Sequence, residues 1–442
     1  MRFTPFPCRA LAALLILLSC VTAAFATDIE GVQPAALDQP RINLLIRRGL
    51  NQPPLTGKAE QNALLQLMEP DAKPKQTFNI QAFLDTGASG VVLSANTAKS
   101  LKITSASLNG APIVFHDVGV AGGDTFHVSE PLYLAMAAFH PGTDTDDPAR
   151  DYRQQAGPIR AQVGPLGGGG LLEMMVGGLD VAGMPVMTGK VAVIDPKPVN
   201  GFDDTMRAYL YKPGTRFNPA QAKRDPGIPP VNRHVRLSYA SFARFTHTTP
   251  ANALGPTIVR NPFIGPDPTS PTKPAGPVGI TIAHNGKTSQ GSWLLDTGAA
   301  ASLLSTQQAA AVGIRYRPGT EGTATPILDG VPQDQQFTLT VGGIGGQRKS
   351  AGFYLNELRV PTTEGDILIY RPAPVLVCDI TVEDAKTQQR LTLDGVFGMN
   401  FLAASAKIGE GLLPDIGKLT EGPFEWIVFD EPNALLGLQL RP

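Results

Sequence analysis

Residues 85–103 read DTGASGVVLSANTAKSLKI, and residues 296–314 read DTGAAASLLSTQQAAAVGI. Laid together without gaps they share Asp-Thr-Gly-Ala, then Leu93 with Leu304, Ser94 with Ser305, Ala98 with Ala309 and Ile103 with Ile314. One Asp-Thr-Gly is an ordinary turn sequence. Two copies with matched flanks mark an internal duplication. The apolar pairs Phe83-Leu84 and Leu294-Leu295 precede the copies. Each Asp is therefore expected at the end of a buried strand, opening a tight turn before a short helix.

The duplication extends downstream. Val118-Gly119 with Gly122-Gly123 parallels Val341-Gly342 with Gly345-Gly346, and Val176-Gly177-Gly178-Leu179-Asp180 parallels Val396-Phe397-Gly398-Met399-Asn400. Near the ends of the two copies, Val193-Ile194-Asp195 parallels Val428-Phe429-Asp430. Two homologous lobes follow, expected over residues 27–215 and 216–442. Ile42–Ile46, Phe78–Leu84, Val235–Tyr239, Val278–Ile282, Gln336–Val341 and Trp426–Phe429 read as strands bounded by Gly, Pro, Asn and Asp. Helical stretches are few, chiefly Ser94–Leu101 and Ser305–Val312, so the class is mainly β. The proline-rich stretches Pro196–Pro230 and Asn261–Pro277 read as loops.

Composition narrows the function. The 442 residues include 47 Gly and 40 Pro, only 17% are charged, and 37 basic against 38 acidic side chains leave a net charge of −1. Such a balance gives no electrostatic footprint for nucleic acid or anionic lipid. Arg2 and Arg9 precede the apolar run Leu11–Leu18, and Ala24-Phe25-Ala26 has the small-x-small pattern of a signal-peptidase site. Residues 1–26 therefore read as a secretory signal peptide, with a mature chain from Thr27 that is secreted or periplasmic. Leu17-Leu18-Ser19-Cys20 also has lipoprotein character, leaving a lipid anchor at Cys20 open. Cys378 alone remains in the mature chain, so no intrachain disulfide forms there, which suits a bacterial envelope better than a eukaryotic secreted domain. The histidines, His116, His127, His140, His234, His247 and His284, show no metal-ligand spacing. Gly167–Gly170 lacks the Lys-Ser or Lys-Thr of a phosphate loop, and Ser89 lacks the frame of a serine nucleophile. No metal or cofactor is expected.

The paired Asp-Thr-Gly loops, Val396-Phe397-Gly398-Met399-Asn400-Phe401-Leu402 and the run from Val428-Phe429-Asp430 to Gly437-Leu438 resemble the bilobal pepsin-like aspartic proteases. Ala88 and Ala299, where pepsins usually carry Ser or Thr, look more like the retropepsins. The resemblance implies two homologous six-stranded-type β-barrel lobes with a cleft between them, Asp85 and Asp296 as catalytic dyad, and an extended polypeptide as substrate. It also implies that the Thr86 and Thr297 hydroxyls tie the loops together, and that the protein is a monomer.

Peptide hydrolysis without a metal or covalent intermediate needs a base for water and an acid for the amide, and two carboxylates sharing one proton supply both. Gly87 and Gly298 let backbone N–H groups approach those carboxylates. The missing hydroxyls at Ala88 and Ala299 point to a pH optimum less acidic than a pepsin's. The hairpin expected over Asp117–Val128 carries Phe126 and His127 but lacks the flap Tyr of pepsins. A catalytically silent peptide- or protein-binding scaffold in the bacterial envelope is thus the alternative. Arg41, Arg47 and Arg48 fit either a first strand or a basic pro-segment.

Overall fold

The computed structural model describes residues 26–56, 79–136, 152–164, 180–196, 206–221, 227–243, 258–270, 277–383, 389–408 and 414–442. Residues 1–25, Gly167–Gly170 and Val176–Leu179, to which the sequence reading gave roles, lie outside them. The described residues are mainly β, with a closed barrel among their sheets. No helix among them is long and apolar enough to cross a membrane.

The pairing that organises the chain joins its two halves. Val191–Asp195 runs antiparallel to Phe424–Asp430, with Val193 opposite Val428 and Ala192 opposite Phe429. Arg207–Tyr211 flanks the first of these strands and Leu435–Leu440 the second. Arg41 then adjoins Arg207, and Arg233–Arg236 adjoin Leu435–Leu438. A strand covered on both faces needs a continuous apolar run. Val191, Ala192, Val193 and Ile194 are all buried, as are Ile42, Leu44, Leu45 and Ile46 in Arg41–Arg47.

The same local plan then appears twice. Ile80–Leu84 lies between Arg41–Arg47, antiparallel, and Val181-Ala182, parallel. Trp293–Leu295 lies between Ile258–Ile264, antiparallel, and Gly395–Phe397, parallel. Each Asp-Thr-Gly turn is followed by a short strand, Val91–Leu93 or Leu303-Leu304, and a six-residue helix, Ala95–Ser100 or Thr306–Ala311. Ser94 and Ser305 cap these helices by accepting the N–H of Thr97 and Gln308, satisfying a donor that the first turn leaves free.

Three sequence expectations need correction. The stretch Pro196–Pro230 contains a strand, Arg207–Tyr211, four of whose residues are buried; its short apolar run was obscured by the surrounding prolines. Asn261–Pro277 likewise opens inside a strand, Ile258–Ile264, which pairs with Leu237–Ala243 along all seven residues. Pro262 removes a single N–H donor, and that ladder survives the loss. Third, the counterpart of Val396-Phe397-Gly398-Met399 is Val181-Ala182-Gly183-Met184, not Val176 to Asp180. Asp85 donates its N–H to Ala182 as Asp296 does to Phe397, and Met184 donates to Ala88 as Met399 does to Ala299. Ala in place of Phe disguised the match.

The first described residues cross to the far half. Ala26–Glu30 pairs in parallel with Ile367–Arg371, and Ala35-Ala36 pairs with Ser405-Ala406. Arg41–Arg47 is a barrel strand, with Arg41 bound to Asp38 and Arg48 to Glu130.

Candidate functional site

The two Asp-Thr-Gly turns meet where the halves join. Thr86 Oγ1 donates to the Leu295 carbonyl at 2.6 Å, and Thr297 Oγ1 donates to the Leu84 carbonyl at 2.6 Å. Each hydroxyl also accepts the other threonine's backbone N–H at 3.1 Å. Both side chains are 1% exposed, so a lost partner would not be replaced by water. This reciprocal set places Asp85 and Asp296, each half-buried at the end of its strand, within hydrogen-bonding reach of one another.

Around each carboxyl the backbone supplies donors. Ala88 N–H donates to Asp85 Oδ1 at 2.8 Å, and Gly298 N–H donates to Asp296 Oδ1 at 2.9 Å. Glycine has a second purpose here that the sequence did not reveal. A Cβ on Gly87 would lie 2.5 Å from the Asp296 carboxyl carbon, and one on Gly298 would meet the Asp85 carboxyl just as closely. Each glycine makes room for the opposite aspartate.

Burial pushes both carboxyls above the ordinary carboxylate range. At Asp85 the rise is offset by the hydrogen bond with Asp296 and by the N–H groups of Ala88 and Gly87. At Asp296 burial is reinforced by the negative charge of Asp85 and the bond to it, against weaker help from the Gly298 and Ala299 N–H groups, so its proton is held much more tightly. Like charges this close cannot both ionise, and the pair titrates as one unit.

Two hairpins project from this framework. Val114–Gly119 pairs with Gly122–Met136, and Phe337–Gly343 pairs with Gly346–Leu355, each turning through two residues. The counterpart of Gly119 is therefore Gly343, one residue beyond the sequence alignment. The tips touch: Ala121 N–H donates to the Ile344 carbonyl at 3.3 Å, and Gly345 N–H donates to Asp124 Oδ2 at 2.9 Å. Phe126 is 2% exposed and faces the core, so it does not substitute for a flap tyrosine.

Sequence reasoning missed two side chains that hold the turns from behind. Asn261, fully buried, donates through Nδ2 to the carbonyls of Thr86 at 3.0 Å and Gly87 at 2.9 Å, and its Oδ1 accepts from Ser89 Oγ at 2.5 Å. Gln39 Nε2 donates to the Gly298 carbonyl. The available signal was a repeated carboxamide-Pro pair, Gln39-Pro40-Arg41 and Asn261-Pro262-Phe263. Arg41 pairs with Phe83 as Phe263 pairs with Leu294, so the two pairs occupy equivalent places.

No protein-family model matches the chain, and no curated protein matches it.

Proposed function

We propose that the chain is an aspartic endopeptidase of the bilobal, pepsin-like type, with Asp85 and Asp296 as its dyad and an extended polypeptide as its substrate. The observation carrying this reading is the reciprocal threonine bonding that sets two half-buried carboxyls together, one of them holding its proton strongly. The ionised carboxylate takes a proton from a water whose oxygen bonds to the scissile carbonyl carbon, while the protonated partner gives its proton to the carbonyl oxygen. The tetrahedral carbon then expels the amine, which leaves with the proton taken from water, and the diol's hydroxyl proton returns to the second carboxylate. The paired hairpins form a lid over an extended peptide bound by strand-like hydrogen bonds. Arg2, Arg9 and the apolar run before Ala24-Phe25-Ala26 support export to the envelope or beyond.

The test is cleavage of a peptide library from about pH 3 to 8 by the chain beginning at Thr27, beside Asp85→Asn and Asp296→Asn. Activity should fall at least ~10³-fold in both variants and yield to a statine-type inhibitor. Absence of cleavage by folded wild-type protein at every pH would favour the binding scaffold instead.

A further inference from the structure

Asn261 and Gln39 occupy equivalent positions, yet each reaches into the other half's turn. The carbonyls that Asn261 engages belong to the Thr86–Gly87 and Gly87–Ala88 peptide units. The N–H groups of those two units, on Gly87 and Ala88, are the ones that face the Asp85 carboxyl. A hydrogen bond accepted by a peptide carbonyl polarises the unit and strengthens its N–H as a donor. Asn261 thus acts on both backbone donors of Asp85 at once. Its orientation is fixed by chemistry: two carbonyls can only accept, so the NH₂ must face them, and Oδ1 is left for the Ser89 hydroxyl.

Gln39 is the lesser counterpart. It is half-buried, engages only the Gly298 carbonyl, and lacks a partner hydroxyl because Ala300 stands at the position of Ser89. From these contacts we infer that Asn261 is a positioning residue that makes Asp85 the ionised member of the pair and leaves the shared proton on Asp296. The inference rests on the dyad reading above and gives its two aspartates distinct roles, base for Asp85 and acid for Asp296. The titratable partner acting on Asp85 is Asp296, and the one acting on Asp296 is Asp85.

The test follows the two carboxyls directly, by ¹³C NMR titration of the full chain labelled at the aspartate side-chain carbons. Asp85→Asn and Asp296→Asn assign the signals. In the wild type the Asp85 carbon should carry most of the response at the lower inflection. In Asn261→Ala that inflection should rise by about one pH unit, tenfold in proton affinity, and in Ser89→Ala by less, since the carboxamide loses only its anchor. Gln39→Ala should leave the lower inflection in place and raise the upper one. A lower inflection carried mostly by the Asp296 carbon would overturn the inference. So would a folded Asn261→Ala, or a folded Ser89→Ala should the former not fold, in which the Asp85 inflection has not moved. Because titration needs no turnover, an inactive wild type would defeat the protease reading while the inflections still decide the part played by Asn261.

Discussion

At the first Asp-Thr-Gly turn a fully buried carboxamide reaches across from the other half, binds two carbonyls and is itself anchored by Ser89. At the second, the equivalent carboxamide is half-buried and binds one carbonyl, and polar support comes instead from within the same half. There Ser302 Oγ accepts the Gly398 N–H at 2.9 Å and donates to Asn400 Oδ1 at 2.7 Å, at a place the first half fills with Val91. Strand pairing and the threonine bonds are duplicated faithfully; the hydrogen bonds behind them are not. A duplicated framework can thus hold two chemically identical carboxyls in different protonation states, because small differences in donor strength decide which of two coupled acids keeps the proton.

Glycine substitutions test the framework most severely. Gly298→Ala would press a methyl group against the Asp85 carboxyl, and Gly87→Ala would press one against Asp296. Overpacking of this kind costs about 1–3 kcal/mol, and separation of the carboxyls should add a loss of cleavage of about a hundredfold or more. Urea unfolding and peptide hydrolysis read the two effects separately. Near-normal activity in either variant would mean that the turns are looser than the pairing implies.

The threonine bonds come next. Thr86→Val and Thr297→Val each remove the donor to a carbonyl and the acceptor of an N–H, at an expected cost of about 1–3 kcal/mol per orphaned group. Equal losses in chemical denaturation would affirm the symmetry of the junction. A markedly milder Thr297→Val would locate the stronger tie in the first turn.

A test by pH uses Asp180, the buried acid beside the first helix cap. Asp180 accepts from Ser94 N–H at 2.9 Å and Thr97 Oγ1 at 2.7 Å, and burial nonetheless pushes its carboxyl up to about 6. The folded state therefore holds a proton that the unfolded chain has released, so the stability this group contributes is full below about pH 4 and declines as pH rises to about 6. Thermal unfolding of Asp180→Asn should lack that decline, at most ~1.4 kcal/mol per pH unit.

The smallest effect is expected at the hairpin tips. Asp124→Ala frees the Gly345 N–H at a partly exposed site, worth about 0.5–1.5 kcal/mol at most. Peptide cleavage should show a few-fold change in KM with kcat nearly constant. A fall in kcat instead would mean that tip contact takes part in forming the reactive arrangement.

Much of this is legible in the order of residues. The repeated Asp-Thr-Gly-Ala with its apolar prefix located both turns, and Ser94 and Ser305 located both helix starts, because these features depend on neighbours in sequence. The strand Arg207–Tyr211 escaped notice since five residues among prolines carry little periodicity. Val181-Ala182-Gly183 escaped because its meaning comes from insertion beside Ile80–Leu84 and Val91–Leu93, remote in the chain. Asn261-Pro262 suffered the same fate: proline reads as a breaker, and nothing local shows that the preceding carboxamide faces a turn 174 residues away.

By itself, then, the sequence determined a duplicated β chain with two acidic turns, since hydrophobic period, turn chemistry and caps are local properties that a repeat makes visible. Only the tertiary structure decided that the turns interlock through Thr86 and Thr297, that each glycine yields space to the opposite aspartate, and that Asn261 stands behind one turn more firmly than Gln39 stands behind the other. Those are contacts between residues far apart in the chain, and their strength depends on burial and exact distance, which no order of residues encodes on its own.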